Sequence, residues 1–502
     1  MPIFFSHNQL IDQSTYTQSY FKPLIHERIM HRILTIIIIA LLSSSLVTAQ
    51  TIQEVYRKSL NETLDEVAAR FGKTIRYGRE VDGKTIEYAS WKIGNQIETT
   101  LETLLYPFDL LFEKLNENEY VVRSFRYHIR SVEEGQAHLD TLTALYSDLV
   151  SWENRRKEIR NNILKQTGLL PLPKKTPLNP VVKGKRTYKE YTVENVLIEV
   201  IPGVFLGGNL YKPVKVKGTV PAILCPHGHF TGGDLGKYDF TDWGRFRADQ
   251  QIRCAELARL GCVVFSYNMF AQGEMIYQIT PSEHATPFAL TMQTLSSIRA
   301  LDFVSTLKEV DIKRIGITGA SGGGTQSFLL AALDDRIALS VPAVMVSAHF
   351  FGGCACESGL PIHFPENGIR TCNPEIAALT APRPQLLISD GTDWTANNPT
   401  IEFPYLQNRY ALYGKTENVE LTHLPNDQHD YGVNKRIPMY QFIAKHFKLD
   451  LKRIQSKDGK INETGIVIEP YATMLSVKST EELPRNALRD VELMKKRIKT
   501  LQ

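Results

Sequence analysis

The sequence predicts an α/β protein with a mostly parallel sheet and helices on both faces, preceded by a small α+β domain. From about residue 190 onward, short apolar segments alternate with segments of helical periodicity, an order that produces a parallel sheet covered by helices. Residues 50–125 carry a separate helix–strand pattern that occurs twice. With 502 residues, 43% of them hydrophobic, the chain can form two or three domains with a large core.

Residues 1–49 are predicted to be a leader that ends in a secretory signal peptide. His31 and Arg32 precede an apolar run, and the small residues before Gln50 are typical of a signal-peptide cleavage site. A transmembrane anchor is the alternative, but the run is short and contains three consecutive serines. Residues 1–29 are patternless, so Met30 is an alternative initiator. We expect a periplasmic or secreted protein without a stable membrane span after cleavage.

Residues 50–125 are predicted to form the small α+β domain. A helix over residues 60–71 ends at Gly72, and a strand follows at 74–77. A second helix over 97–105 precedes a hairpin whose turn lies at 116–118. This duplication resembles the short domain at the N-termini of secretins and TonB-linked receptors. The resemblance implies a protein-interaction or signalling module, and a plain structural appendage is the alternative.

Residues 126–502 are predicted to form the larger α/β domain. Its first part, 130–166, has a charged helical pattern, and the proline-rich segment 169–180 is typical of a linker. Strands are predicted at residues 198–210, 220–225, 263–265, 315–317, 341–346, 385–389 and 419–424. Four helices are predicted: one ends at Leu260, the second covers 290–307, the third follows Ser321 and the fourth includes 440–447. Residues 450–502 are predicted to form a hairpin-and-helix tail.

Ser321 is the candidate nucleophile. It lies in Gly-Ala-Ser-Gly-Gly at 319–323, between an apolar strand and an apolar helix, which is the setting of a nucleophile elbow. Glycines two residues before and after the serine let neighbouring backbone approach without a Cβ clash. A serine N-cap in a glycine-rich loop is the alternative, but it leaves the acid and histidine downstream unexplained.

A serine hydroxyl needs a base and an acid that orients the base. His429 follows the last predicted strand and is the candidate base, whereas His423 lies within that strand. Asp393 follows the strand before it and is the candidate acid, with Asp390 and Glu357 as alternatives. The order serine, acid, histidine is that of the α/β-hydrolase fold.

The oxyanion hole requires two N–H donors. Gly322, directly after the nucleophile, is the first candidate, and the backbone of His229 in the loop after residue 225 is the second. A glycine-rich turn without a catalytic part is the alternative for that loop.

Charge and cysteine usage limit the remaining possibilities. The net charge of +4 is too small and too dispersed to indicate a nucleic-acid partner. Cys354, Cys356 and Cys372 cluster along the chain, where a bridge to Cys372 is plausible in an exported protein. The spacing of Cys354 and Cys356 is not that of a typical zinc site, so no metal is expected.

Six stretches together carry a family resemblance: 191–196, 208–213, 225–229, 319–326, 354–357 and 389–394. They resemble secreted bacterial carbohydrate esterases of the acetyl xylan esterase-like kind, which are related to glucuronoyl esterases and include pectin methylesterases. The resemblance implies esterase chemistry with no cofactor, with Ser321 as nucleophile, His429 as base and Asp393 as acid. Glucuronoyl esterases carry an arginine directly after the nucleophile, where this chain has Gly322.

The predicted function is a serine carboxylic-ester hydrolase acting on plant cell-wall polysaccharide fragments. A methylesterase on uronates is favoured, and an acetyl xylan esterase is the alternative. A peptidase or dienelactone-type hydrolase, a peptidoglycan-directed esterase and a non-catalytic interaction protein are three rival functions. The expected partners are an oligosaccharide ester and a protein bound by residues 50–125. Candidate substrate-binding residues are Trp394 beside the acid and four basic residues near the mouth of the site: Arg245, Lys237, Arg247 and Arg370.

Overall fold

The structure is a computed structural model that describes residues 57–87, 93–105, 110–124, 131–229, 243–354, 356–357, 362–363 and 369–502. The predicted leader, its cleavage site and Lys237 lie outside the described residues. None of the helices in the described part of the chain combines the length and the apolar character needed to cross a bilayer.

The strands occur in two regions of the chain. The first region holds β1 (Arg57–Ser59), β2 (Thr74–Arg76), β3 (Thr85–Glu87), β4 (Leu110–Asn116) and β5 (Glu119–Ser124). The second region holds β6 (Val181–Thr187), β7 (Tyr191–Ile201), β8 (Val204–Pro213), β9 (Val220–Leu224), β10 (Val263–Tyr267), β11 (Val310–Ala320), β12 (Ile337–Ala343), β13 (Gln385–Asp390) and β14 (Val419–Leu424).

The α-helices of the described residues include the predicted ones and others, at 373–378 and 402–411, that were not predicted. They are α1 (Leu60–Phe71), α2 (Ile97–Leu105), α3 (Val132–Thr143), α4 (Leu149–Gln166), α5 (Ala248–Leu260), α6 (Pro287–Thr306), α7 (Gly322–Leu333), α8 (Asn373–Ala378), α9 (Glu402–Ala411), α10 (Val433–Phe447), α11 (Tyr471–Met474) and α12 (Val491–Leu501).

The N-terminal elements have an apolar core of their own, formed by residues between Leu60 and Val122. Helix α1 begins after Ser59, which forms a capping box with Glu62, and ends at Gly72 in the left-handed region at φ 61°. Strand β5 pairs in parallel with β2 and antiparallel with β4. The predicted helices and hairpin of this region are therefore confirmed.

The second region forms one nine-stranded sheet in the order β14-β13-β12-β11-β9-β10-β8-β7-β6. Strands β9 to β14 are parallel to one another, whereas β8, β7 and β6 are joined antiparallel at one side. The prediction of one strand over 198–210 is wrong, because the chain reverses between β7 and β8 at Gly203, where φ is +90°.

Both faces of the sheet are covered by helices. On β9, Ala222 and Leu224 join a core cluster that includes α6, whereas Ile223 joins a cluster that includes α5 and α10. Because successive residues of a strand point to opposite faces, these helices lie on opposite sides. The predicted α/β fold is confirmed, and the carboxyl ends of the parallel strands β9 and β11–β14 meet at one edge.

The C-terminal residues, 450–502, pack against the core of the nine-stranded sheet. Asn195 of β7 donates hydrogen bonds to the carbonyl oxygens of Thr473 and Leu475 at 2.8 and 3.0 Å. Met494 and Ile498 of α12 belong to the same apolar cluster as α6. The tail is therefore part of the larger domain.

Candidate active site

Ser321 occupies the sharp turn between β11 and α7. Its backbone has φ 55° and ψ −125°, a conformation that costs a non-glycine residue free energy and concentrates at functional sites. A Cβ atom at Gly319 or at Gly323 would lie 2.5 Å from the carbonyl oxygen of Pro226. The two glycines therefore permit the close backbone approach that the sequence pattern predicts.

His429 and Asp393 come together at the carboxyl edge of the sheet. His429 lies after β14 and Asp393 after β13, and His429 Nδ1 is 2.5 Å from Asp393 Oδ2. The other oxygen of Asp393 accepts hydrogen bonds from the backbone N–H and the hydroxyl of Thr395. These bonds fix the carboxylate, so it holds the imidazole with Nδ1–H toward the acid, and Nε2 is then the basic nitrogen of the neutral ring.

The two alternative acids have other partners. Asp390 is fully buried and lies 3.3 Å from Lys435 Nζ, while its Oδ1 accepts the backbone N–H groups of Thr392 and Asp393. Burial, followed by the charge of Asp393, raises the pKa of Asp390 above its usual value. Glu357 contacts His229 and Gly353. The geometry thus favours Asp393 as the partner of His429.

The loop after β9 approaches the start of α7. A Cβ atom at Gly322 would lie 3.0 Å from Cε1 of His229 and 3.2 Å from Oε1 of Glu357. The ring and the carboxylate thus fill the space that a side chain at position 322 would need. The N–H of Gly322 lies at the N-terminus of α7, where backbone donors have no partner within the helix.

Neighbouring His227 has a supporting contact of its own. Its ring is buried, Nε2 accepts the backbone N–H of Met269 at 3.2 Å, and Nδ1 faces the carbonyl oxygen of Gly228 at 3.0 Å. Burial lowers its pKa to about 3. The ring is therefore neutral and connects the loop after β9 to the loop after β10.

The prediction that Arg245 binds substrate is wrong. Its side chain is fully buried and forms a bidentate ion pair with Glu274 at 2.7 and 2.8 Å. Its remaining donors bind Asn268, Asn209 and the carbonyl oxygen of Met474. All donors of the Arg245 guanidinium are thus engaged in the core. The side chain joins the loop after β10 to the C-terminal tail.

Arg247, another of the predicted basic residues, is partly exposed. It lines a small cleft together with Gly228 and Ala320, the residue before Ser321. Its side chain is 24% exposed and pairs with Asp249 at 3.1 Å. Arg247 thus contributes a positive charge to the cleft beside the turn that carries Ser321.

Trp394 packs against the histidine of the site. Its ring stacks on Phe350 with centroids 3.8 Å apart and contacts His429 at 4.5 Å. Trp394 Nε1 is buried without a hydrogen-bond partner. These contacts favour a packing role, in which the indole holds the imidazole of His429, over a role as a free sugar platform.

A second cluster next to Gly322 was not expected from the sequence. Nε2 of His229 lies 2.5 Å from Nε2 of His284, 3.0 Å from Sγ of Cys356 and 3.6 Å from Sγ of Cys354. Burial lowers the pKa of His284 well below its usual value. The four residues come from three loops that are distant along the chain, so no local motif could indicate them.

The predicted disulfide to Cys372 is wrong. Cys354 and Cys356 are joined as a disulfide, and Cys372 is a buried free cysteine. Cys372 belongs instead to the apolar cluster beneath α8 and α9. Cys225 and Cys262 are both fully buried in the core.

The chain is similar to several known esterases and hydrolases. The profile of the acetyl xylan esterase family (AXE1) matches residues 187–351. The solved structure of Methylesterase BT1017 is 38% identical, covers 89% of this chain and 98% of its own, and superimposes with a TM-score of 0.67. YtaP of Bacillus subtilis (strain 168), which is named as a hydrolase, is 27% identical over 240 residues, 46% of this chain and 79% of its own.

Proposed function

Because this chain belongs to the carbohydrate esterases of the α/β-hydrolase fold, we propose that it hydrolyses carboxylic esters with a triad of Ser321, His429 and Asp393. The observation that carries the proposal is the 2.5 Å contact between His429 Nδ1 and Asp393 Oδ2, at the same sheet edge as the strained turn of Ser321. A non-catalytic protein has no need of either feature.

The reaction proceeds in two acyl-transfer steps. His429 takes the proton of the Ser321 hydroxyl through Nε2 while the serine oxygen attacks the ester carbonyl. The oxyanion accepts hydrogen bonds from the backbone N–H groups of Gly322 and His229. The protonated imidazole then gives its proton to the leaving alcohol, and water releases the acyl group by the reverse sequence of proton transfers.

The favoured substrate is a uronate methyl ester of a plant polysaccharide such as pectin. The similarity to Methylesterase BT1017 over 89% of the chain supports the methyl ester, and Arg247 in the cleft beside Ala320 supports an acidic polysaccharide. In this case the uronate is the acyl part and methanol leaves first. An acetylated sugar is the second candidate, favoured by the acetyl xylan esterase profile over 187–351.

The position of Gly322 is consistent with a substrate other than a glucuronoyl ester. His229 and Glu357 fill the space that an arginine after the nucleophile would need. Oxyanion stabilisation here therefore depends on backbone donors. We place methyl or acetyl ester cleavage before glucuronoyl ester cleavage for this reason.

We further propose that residues 1–49 direct export and that residues 50–125 bind a protein partner. The apolar core of the N-terminal elements, which contains no residue of the larger domain, supports a separate module. An exported esterase would also meet polysaccharide outside the cytoplasm.

The decisive experiment measures methanol and acetate released by the purified protein from methylated, acetylated pectin oligosaccharides and from acetylated xylan. Ser321→Ala is the blank, and Ser305→Ala on α6 is the matched control, because Ser305 only bonds the carbonyl oxygen of Leu301. Methanol release that is lost in S321A alone supports the uronate methylesterase, and acetate release alone selects the acetyl esterase. No release of either product, with no activity on an aryl acetate, overturns the proposal.

A further inference from the structure

The cluster of His229, His284, Cys354 and Cys356 has the composition of a metal centre. The four potential ligand atoms all lie within 4.8 Å of one another. Two imidazoles and two thiolates are the usual ligand set of a closed tetrahedral zinc site. We propose that these four side chains bind one zinc-class divalent cation beside Gly322.

The hydrogen bonds of the two histidines direct their Nε2 lone pairs toward each other. His284 Nδ1 faces the carbonyl oxygen of Phe270 at 2.6 Å, and His229 Nδ1 faces Glu357 Oε1 at 3.1 Å. A carbonyl and a carboxylate only accept, so both Nδ1 atoms carry the hydrogen. Two facing lone pairs repel one another, and a cation between them turns that repulsion into attraction.

The same hydrogen bonds are those that support histidine ligands in metal proteins. A metal-bound imidazole typically donates its other N–H to a carboxylate or to a backbone carbonyl, which fixes the ring and raises its basicity. His229 has the first kind of partner in Glu357, and His284 has the second kind in Phe270. Glu357 is also held by the backbone N–H of Gly353, so its orientation is fixed.

The distances in the cluster can be compared with those of a tetrahedral zinc site. Zinc bonds to nitrogen and sulfur of ordinary length give ligand–ligand edges of about 3.3–3.8 Å in a tetrahedron. His229 Nε2 lies 3.0 and 3.6 Å from the two sulfurs and 2.5 Å from His284 Nε2. Zinc binding therefore requires the two rings to move apart by roughly 1 Å and the two sulfurs, which are bonded to each other as a disulfide, to separate to roughly 3.8 Å after reduction.

Metal binding needs Cys354 and Cys356 as thiols. The two thiols lose one proton each when they bind the ion, and no electron is transferred. The disulfide that joins them is the form with two fewer electrons, and it offers no thiolate. Binding and the disulfide therefore exclude one another, which makes the thiol state part of the test.

Four protein ligands leave no open position for water or substrate, so the role is structural. The ion would join the loops after β9 and β12 to the 3₁₀ turn at Pro281–Ala285. Gly322 lies against His229, so this cross-link would position the loop that carries the His229 backbone N–H. The function of the ion is to hold the oxyanion hole in place.

The test uses the purified full chain, reduced with a phosphine, freed of metal by a chelator and then given Zn²⁺ or Co²⁺ alone. We expect about one equivalent of zinc by mass spectrometry, a higher melting temperature with zinc, and a cobalt spectrum with thiolate charge-transfer bands of a tetrahedral site. C356S and H284A should lose the stoichiometric ion, whereas C372A, which removes a buried thiol outside the cluster, should keep it.

The spectrum of the unsubstituted protein decides the proposal even where a variant fails to fold. Reduced, folded protein that binds less than about a tenth of an equivalent of zinc, or cobalt without thiolate bands, overturns the metal site. Two thiols that stay oxidised under the phosphine overturn it as well. The readout is independent of ester hydrolysis, and S321A should bind the ion as the unsubstituted protein does.

Discussion

His429 Nδ1 and Asp393 Oδ2 are 2.5 Å apart, although 36 residues separate them along the chain. We expect Asp393→Asn to lower kcat by about 10⁴-fold, because an amide at this position favours the wrong imidazole tautomer while leaving the packing intact. The measurement is steady-state hydrolysis of an aryl acetate by D393N, with circular dichroism to confirm the fold.

Asp390→Asn is the matched comparison on the same turn. Asp390 pairs with buried Lys435, so its loss leaves a buried ammonium with a weaker partner and should lower the free energy of unfolding by about 3 kcal/mol. We expect kcat of the folded D390N to remain within about tenfold of the unsubstituted enzyme. If D390N lost kcat while D393N kept it, the acid assignment would be reversed.

Gly322→Ala tests the oxyanion position. The new Cβ would lie 3.0 Å from His229 Cε1 and 3.2 Å from Glu357 Oε1, so the neighbours must shift and the N–H donor with them. Losing one such donor costs about 10²–10³ in kcat, and we expect a displaced donor to cost about tenfold or more. Gly94→Ala is the control, because its nearest neighbour is Thr100 Oγ1 at 3.6 Å. Equal kcat values for the two variants would contradict this role of Gly322.

Trp394→Ala distinguishes packing from sugar binding. Since the indole contacts Phe350 and His429, we expect W394A to lower kcat by a similar factor on an aryl acetate and on pectin oligosaccharides, and W394F to restore most of it. A free sugar platform predicts instead a higher KM on oligosaccharides alone. Measuring kcat and KM for both substrates separates the two outcomes.

Arg247→Ala tests the preference for acidic substrates. Arg247 lies in the cleft beside Ala320, and an ion pair with a neighbouring uronate should lower KM several-fold at low ionic strength. We expect R247A to raise KM on methylated pectin and to leave KM on neutral acetylated xylan unchanged. Arg70→Ala, which removes an exposed cation of α1, is the control. Equal effects of R247A on both substrates would contradict the electrostatic role.

Local patterns were sufficient for part of this structure. The elbow at Ser321, the helix end at Gly72 and the order of strands around the site follow from glycine positions and apolar periodicity, which act over a few residues. The burial of Arg245 against Glu274, 29 residues away, could not be predicted from sequence, because an arginine in a loop next to the site has the same local pattern whether it is free or paired. The approach of His284 to His229 across 55 residues is of the same kind, since only the folded sheet brings their loops together.

His227 makes the stability of the protein depend on pH. Its pKa is about 3 in the folded chain because the ring is buried, and about 6.5 in the unfolded chain. Between these values the unfolded chain binds the additional proton, so the free energy of unfolding falls as the pH is lowered from about 6.5 toward 3. The stabilisation is fully present above about pH 6.5.

His227→Gln removes this contribution while a side-chain oxygen can still accept the N–H of Met269, the bond that His227 Nε2 makes at 3.2 Å. We expect the free energy of unfolding of H227Q to fall less steeply with acid, by up to about 1.4 kcal/mol for each pH unit inside the window. Urea unfolding of both proteins between about pH 7.5 and 4.5 measures the two slopes. A constant offset between parallel curves would mean that the imidazole of His227 is protonated equally in the folded and unfolded chains, contrary to its burial.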